Sequence, residues 1–166
     1  MIRTYAPSDL EQVVTLFTQA VHNVSSSFYS PFELEAWAPS NPDMALWRRL
    51  LEERYTMVMD AENGITGFGS LGADGNTVEM LFTHHAHQNE GIGSTILELL
   101  EKEAIRRGNS EIRLISSANA WSFYHKRGYQ YHHSEKKLYG AMMFDCQVLC
   151  KALPMFQARG AECSML

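Results

Sequence analysis

Cysteine, basic charge and long apolar runs are all scarce in this chain, and each scarcity excludes something. There are three cysteines, Cys146, Cys150 and Cys163, all toward the C-terminal end. An odd number gathered at one end is no disulfide framework and fits a reducing compartment, so a cytoplasmic location is expected. Cys146 and Cys150 have no third and fourth ligand nearby at zinc spacing, so no metal is expected there. Lys and Arg number 14 against 19 Asp and Glu, a net charge of −5. That balance argues against nucleic acid and against an anionic membrane surface, because both need a basic face. No apolar run approaches the ~18 residues of a membrane span. Met1 to Asp9 hold no apolar stretch of the signal-peptide kind. Internal repeats and low-complexity segments are missing too.

What remains is an ordinary globular composition: 166 residues, 45% hydrophobic and 20% charged. That is one domain, long enough to bury a core without staples. Residues 1–153 read as the domain and 154–166, after Pro154, as a tail.

The pattern predicts a short strand from Ile2 to Tyr5, then a helix capped by Ser8 with Glu11 completing a capping box. Val13, Val14, Phe17, Ala20, Val21 and Val24 fit one face of it. Shorter helices are expected over Phe28–Trp37 and Asp43–Glu52. Strands follow at Arg54–Asp60, Ile65–Leu71 and Thr77–Thr83, an antiparallel meander turning at Ala61–Gly64 and Gly72–Asn76. Gly67 and Gly69 suggest a bulge or a close backbone approach. The clearest helix is Gly91–Arg107, stopped by Gly108. A strand at Glu111–Ser116, a short helix at Ala120–Lys126 and two long strands at Tyr129–Leu138 and Ala141–Leu153 complete the order.

The stretch that carries chemistry runs from Leu81 to Ser94. A strand ends, a loop with Gly91 and Gly93 follows, and an amphipathic helix begins. The first N–H groups of a helix have no internal partner and, with the helix dipole, make an anion site suited to a pyrophosphate. The glycines remove side chains that would block an approaching ligand, and Ser94 adds a hydroxyl. No Gly-Lys-Ser/Thr follows, so this is not a P-loop. The dinucleotide fingerprint is missing as well, because its third glycine is absent and the preceding strands form a meander.

Gln88-x-x-Gly91-x-Gly93 resembles the acetyl-coenzyme A signature of the GCN5-related N-acetyltransferase (GNAT) superfamily. Ala120-Trp121-Ser122-Phe123-Tyr124-His125-Lys126-Arg127-Gly128-Tyr129 resembles that family's second motif. The segment Ser30 to Pro39 is similar to a YafP-like bacterial subgroup. The resemblance spans about residues 1–153. It implies a mixed α/β GNAT fold, with a central, mostly antiparallel six- to seven-stranded sheet, a splayed parallel pair and about four flanking helices.

The resemblance also implies an enzyme that moves an acetyl group from acetyl-CoA to a primary amine by direct attack in a ternary complex. Pantetheine would lie between Thr77–Thr83 and Glu111–Ser116, along Leu81, Phe82 and Thr83. The pyrophosphate would be held by Gln88, Asn89, Glu90, Gly91, Ile92, Gly93 and Ser94. Ser117 stands where many relatives have a cofactor-contacting Asn, and Asn119 is two residues on; either can supply that contact. Tyr124 matches the general acid, since a phenol can protonate a departing thiolate. Glu79 is a candidate base or, equally, a solvated or ion-paired strand carboxylate; His84 is another candidate base. No cysteine lies near the motifs, so a covalent acyl-enzyme is not expected.

Phe28, Tyr29 and Trp37 are candidates to line the pocket of a small-molecule or peptide amine, whereas Trp47 reads as core. Met142, Met143 and Phe144 read as core or subunit interface. Late strands pair between subunits in the family, which makes a homodimer one expectation. The alternative of another class is a non-catalytic acyl-CoA-binding sensor or scaffold. His84-His85-Ala86-His87 lacks a ligand partner at a familiar spacing and reads as a loop. Cys163-Ser164-Met165-Leu166 has the outline of a prenylation signal, but its middle residues are not both aliphatic and no polybasic run precedes it.

Overall fold

The computed structural model describes residues 1–154. The expected tail beyond Pro154, with its Cys163 motif, lies outside the described residues. Seven strands form one sheet in the order β1-β2-β3-β4-β5-β7-β6. They are β1 (Ile2–Thr4), β2 (Tyr55–Ala61), β3 (Gly64–Leu71), β4 (Thr77–Thr83), β5 (Glu111–Ser116), β6 (Gln130–Tyr139) and β7 (Met142–Ala152). All neighbours run antiparallel except β4 and β5. The helices are α1 (Leu10–His22), α2 (Pro31–Trp37), α3 (Met44–Glu53), α4 (Ile92–Arg106) and α5 (Trp121–His125). The expected mixed α/β fold is therefore present, with five α-helices among the described residues.

Each face of the sheet buries its own core. On one face α1, α2 and α3 pack Val13, Phe17 and Leu51 against Val58, Phe68 and Phe144. On the other, α4 and α5 pack Ile96, Leu100 and Tyr124 against Leu71, Leu114 and Leu149. The aliphatic face of α4 uses Leu97 and Ala104 as fully buried members, with Leu99 and Ile105 only half-buried.

Three helix starts follow from local chemistry. Ser8 does not cap α1: Pro7 opens a short 3-10 turn, and the Asp9 carboxylate accepts the Ala6 N–H at 2.8 Å. Arg3 holds that carboxylate with two further bonds of 2.8 and 2.9 Å, so α1 begins at Leu10. The second helix begins at Pro31, later than Phe28. Ser30 and Glu33 cap each other's backbone there at 2.9 and 3.2 Å, and proline suits the first helical position. Asp43 caps α3 by accepting the Leu46 N–H at 3.1 Å.

Gly67 and Gly69 lie where α4 crosses β3. A Cβ on Gly67 would stand 2.5 Å from Ile92 Cγ2, and one on Gly69 2.8 Å from Ile96 Cγ2. Close approach is thus the reason for both glycines. The bulges in β3 and β4 fall elsewhere, opposite Met59/Asp60 and Ser70/Leu71.

Candidate active site

The site originates in a strand that bends. β4 and β5 pair only at Thr77 with Arg113 and Val78 with Leu114. At the next step Ser70 pairs with Met80 while Leu71 pairs with Val78, leaving Glu79 as an extra residue in β4. Such a bulge bends its strand, so β4 leaves β5 and the sheet opens. A cavity of about 740 Å³ fills the opening and reaches residues on both faces, from Phe17 and Trp37 to Gly93 and Tyr124.

The His84 N–H donates to Thr66 O of β3 at 2.8 Å. Alternation along a strand then directs the backbone of Leu81 and Thr83 away from β3, toward the opening. Leu81, Phe82 and Thr83 all line the cavity. The Thr83 carbonyl accepts from Gln88 Nε2 at 3.2 Å.

Beyond β4 the chain turns through Asn89 at φ +63° and Gly91 at φ +79° into α4. The backbone N–H groups from Gln88 to Ser94 have no protein acceptor among the described residues. A row of free donors at a helix start can hold a polyphosphate. The two glycines have different causes. Gly91 has open space around it and is needed for its positive φ. A Cβ on Gly93 would meet Phe123 Cζ at 3.2 Å, so that position serves packing as well as access.

Gln88 and Gly93 line the cavity, while Asn89, Glu90 and Gly91 form the exposed loop beside it. Ile92 turns its side chain into the core under Gly67. The Ser94 hydroxyl accepts from Arg127 Nε at 2.8 Å and from Arg127 Nη2. With its lone pairs so engaged, its own proton is free to face an anion. Arg127 also donates to the Phe123 carbonyl at 2.8 Å, and its guanidinium lies 3.7 Å from the Phe123 ring centroid. The pattern of the second motif names Arg127 only as a spacer, and its partner Ser94 is far off in the chain.

Ser117 and Asn119 both line the cavity and act together: Ser117 Oγ donates to Asn119 Oδ1 at 2.7 Å. This leaves the Asn119 amide nitrogen without a protein partner among the described residues. The Ala118 N–H donates to the Tyr29 hydroxyl at 2.8 Å, tying Tyr29 to this loop.

Tyr124 is buried on α5, edge-on to Phe123 at 5.1 Å, and lines the cavity. Burial pushes its phenol pKa up, because the anion is poorly solvated there. It is therefore a proton carrier at neutral pH. Its hydroxyl has no protein hydrogen-bond partner among the described residues, unlike that of neighbouring Tyr129, which donates to Glu101 at 2.8 Å.

Glu79 lines the cavity, and its carboxylate is bound by Arg54 Nε. The ion-paired reading is thus present in the structure, and a base at Glu79 has to share its lone pairs with that guanidinium. His84 is not in the cavity wall. Its Nδ1 accepts the Ala86 N–H at 3.1 Å, and burial followed by the nearby His85 and His87 imidazoles lowers its pKa.

Of the three acceptor candidates, Tyr29 and Trp37 line the cavity. Phe28 does not: it is 48% exposed, turned to solvent at the bend before α2. Trp47 packs on the core at 4.7 Å from Phe17 and also lines the cavity. Phe144, read from sequence as core or interface, is buried and lines it too; Tyr139, Lys137 and Arg54 join it. These residues carry no local motif, and only the fold-back of β6 and β7 or the approach of α3 brings them in. Among the described residues, no cluster of three or more His, Cys, Asp or Glu can hold a metal ion. No described helix is long and apolar enough to cross a membrane.

The family model for an acetyltransferase (GNAT) domain matches residues 25–149. The chain belongs to the GNAT acetyltransferase family. The N-acetyltransferase YafP of Escherichia coli strain K12, itself uncharacterised, is 29% identical over 129 residues, covering 78% of this chain and 80% of YafP. A GCN5-related N-acetyltransferase from Rhodopseudomonas palustris superposes with a TM-score of 0.88 at 26% identity, covering 92% of this chain and 95% of the other. The PaiA N-acetyltransferase of Thermoplasma acidophilum, solved with coenzyme A, shares the fold with a TM-score of 0.75 at 19% identity, covering 92% and 98%. As a GNAT enzyme the chain is an N-acetyltransferase.

Proposed function

We propose that this GNAT enzyme transfers the acetyl group of acetyl-CoA to a primary amine by direct attack, with Tyr124 as the general acid. The observation that carries the reading is Tyr124, a buried residue that lines the opening between β4 and β5 and whose hydroxyl has no protein partner among the described residues, with burial favouring the protonated phenol. The free N–H groups from Gln88 to Ser94 fit a pyrophosphate, and the outward-facing backbone of Leu81 and Thr83 fits the amides of a pantetheine arm. Ser117 and Asn119 supply polar contacts on the opposite wall.

In this scheme the neutral amine attacks the thioester carbonyl, and a backbone N–H near Leu81 meets the developing oxyanion. The carbon–sulfur bond then breaks, and Tyr124 gives its proton to the leaving thiolate. The proton lost by the amine returns to the phenolate directly or through water, so the products are an amide and CoA thiol. Glu79, held by Arg54, supports a role in orienting that water more than in abstracting the proton unaided.

The test is CoA release over a panel of primary amines, with wild type and Tyr124→Phe. Loss of one acid should lower kcat by roughly 10²–10⁴-fold, while acetyl-CoA still raises Tm. A panel in which no amine yields thiol above background hydrolysis, although acetyl-CoA stabilises the fold, would favour a non-catalytic acyl-CoA sensor. Full activity in Tyr124→Phe would remove Tyr124 from the acid role.

A further inference from the structure

The acceptor end of the cavity is an aromatic box with one unpaired cation. Trp37 stands 5.6 Å from Tyr29 and 6.3 Å from both Tyr139 and Phe144, and Tyr139 meets Phe144 edge-on at 5.1 Å. Two carboxylates line the same cavity, and both are engaged. Arg54 binds Glu79, and Asp43 caps α3 through the Leu46 N–H.

Two cations line it as well. Arg54 is neutralised by Glu79, with Glu53 3.8 Å away. Lys137 has no carboxylate within ion-pair distance among the described residues. Strand alternation separates it from Lys136, which faces outward and binds Asp145 at 2.6 Å. Lys137 lies opposite Phe144 in the β6–β7 register, half-buried, with Nζ 5.9 Å from the Tyr139 ring centroid. A polycation entering this box would find no free carboxylate and would meet a like charge. An apolar frame with one negative group would cover the rings and pair with Lys137.

Resting on the acetyl-transfer reading, we infer that the acceptor is a primary monoamine on an aromatic or bulky apolar frame carrying a single carboxylate, which Lys137 binds. Lys137 is a specificity residue in this assignment, and polyamines or amino-sugar polycations are not acceptors.

The experiment compares benzylamine, para-(aminomethyl)benzoate and spermidine by kcat/KM for CoA release. The carboxylated amine should exceed benzylamine by roughly tenfold, the size of one charge-assisted hydrogen bond, and spermidine should stay at background. In Lys137→Met the ratio of the two aryl amines should fall to about one, and in Lys137→Arg it should persist, with the acetyl-CoA shift in Tm reporting a folded site. A preference for spermidine, or a ratio unchanged in Lys137→Met, overturns the assignment. If benzylamine turns over and the carboxylate brings no advantage, acetyl transfer stands and the acceptor class fails. If no amine turns over while acetyl-CoA still binds, the transfer reading fails and the acceptor class falls with it.

Discussion

Single side chains shape the proposed donor end of the cavity. Arg127 binds the Ser94 hydroxyl and the Phe123 carbonyl and lies over the Phe123 ring, so its charge sits at the start of α4. A cation there adds to the helix dipole in drawing a polyphosphate to the free N–H row. Arg127→Met should raise KM for acetyl-CoA roughly tenfold, the scale of one hydrogen bond to a charged group, with kcat within about twofold. Steady-state kinetics at low and high salt check this, and the variant should also lose salt sensitivity. Tyr124 was legible in the sequence because its motif is local. Arg127 was spelled out in the same motif, yet its role was not, since it depends on Ser94 arriving from another element. Lys137 and Phe144 carried no signal beyond strand alternation.

At the scale of elements, the fit of α4 onto β3 places the loop of free N–H groups. Gly67 and Gly69 let Ile92 and Ile96 come down onto the strand, and Ile92 is the first residue of the helix. Gly67→Ala would force the N-terminal turn of α4 outward. We expect a loss of about 1–3 kcal/mol in urea unfolding, accompanied by a higher KM for acetyl-CoA because the donor row moves. A variant as stable as wild type would show that the helix can shift without cost. The glycines announced a close approach in the sequence, but the partner helix was not named by them. Element order and most boundaries were readable from periodicity, whereas the caps were not: Ser8 lost its role because Asp9, fixed by Arg3, satisfies Ala6 instead. The bulge at Glu79 was equally silent, since it appears only in the pairing with β3.

For the whole molecule, the net charge of −5 hides carboxylates that are not free. Glu103 is buried between Arg106 and Arg107, bonded at 2.7 and 2.8 Å, and the Arg106 hydrogen bond leads in holding its pKa down at about 2. Asp9 is held below the usual carboxylate range, first by its hydrogen bond to Arg3. A carboxyl with a folded pKa below its unfolded one stabilises fully above the unfolded value and loses that contribution as pH falls through the folded one. The window therefore opens near the ordinary carboxylate pKa of ~4 and closes near 2 for Glu103. Arg106 is largely exposed, so solvent screening leaves a contribution of order 1 kcal/mol. Tm should fall as pH drops from about 5 toward 2. Glu103→Gln should start lower at neutral pH and show a shallower acid limb; an unchanged limb would assign the acid sensitivity elsewhere.

What the sequence determined by itself was the local part: the order of strands and helices, the loop with free N–H groups after β4, and Tyr124 within its motif. Each depends on residues close in the chain, where periodicity and glycine conformation act directly. The tertiary structure alone decided what crosses between elements. It bent β4 at Glu79 to open the sheet, bound Glu79 to Arg54, set Arg127 on Ser94, and left Phe28 outside while bringing Tyr139, Phe144 and Lys137 to the cavity wall. Those contacts join residues far apart in the chain, and pairing register and packing, which no local pattern encodes, select among them.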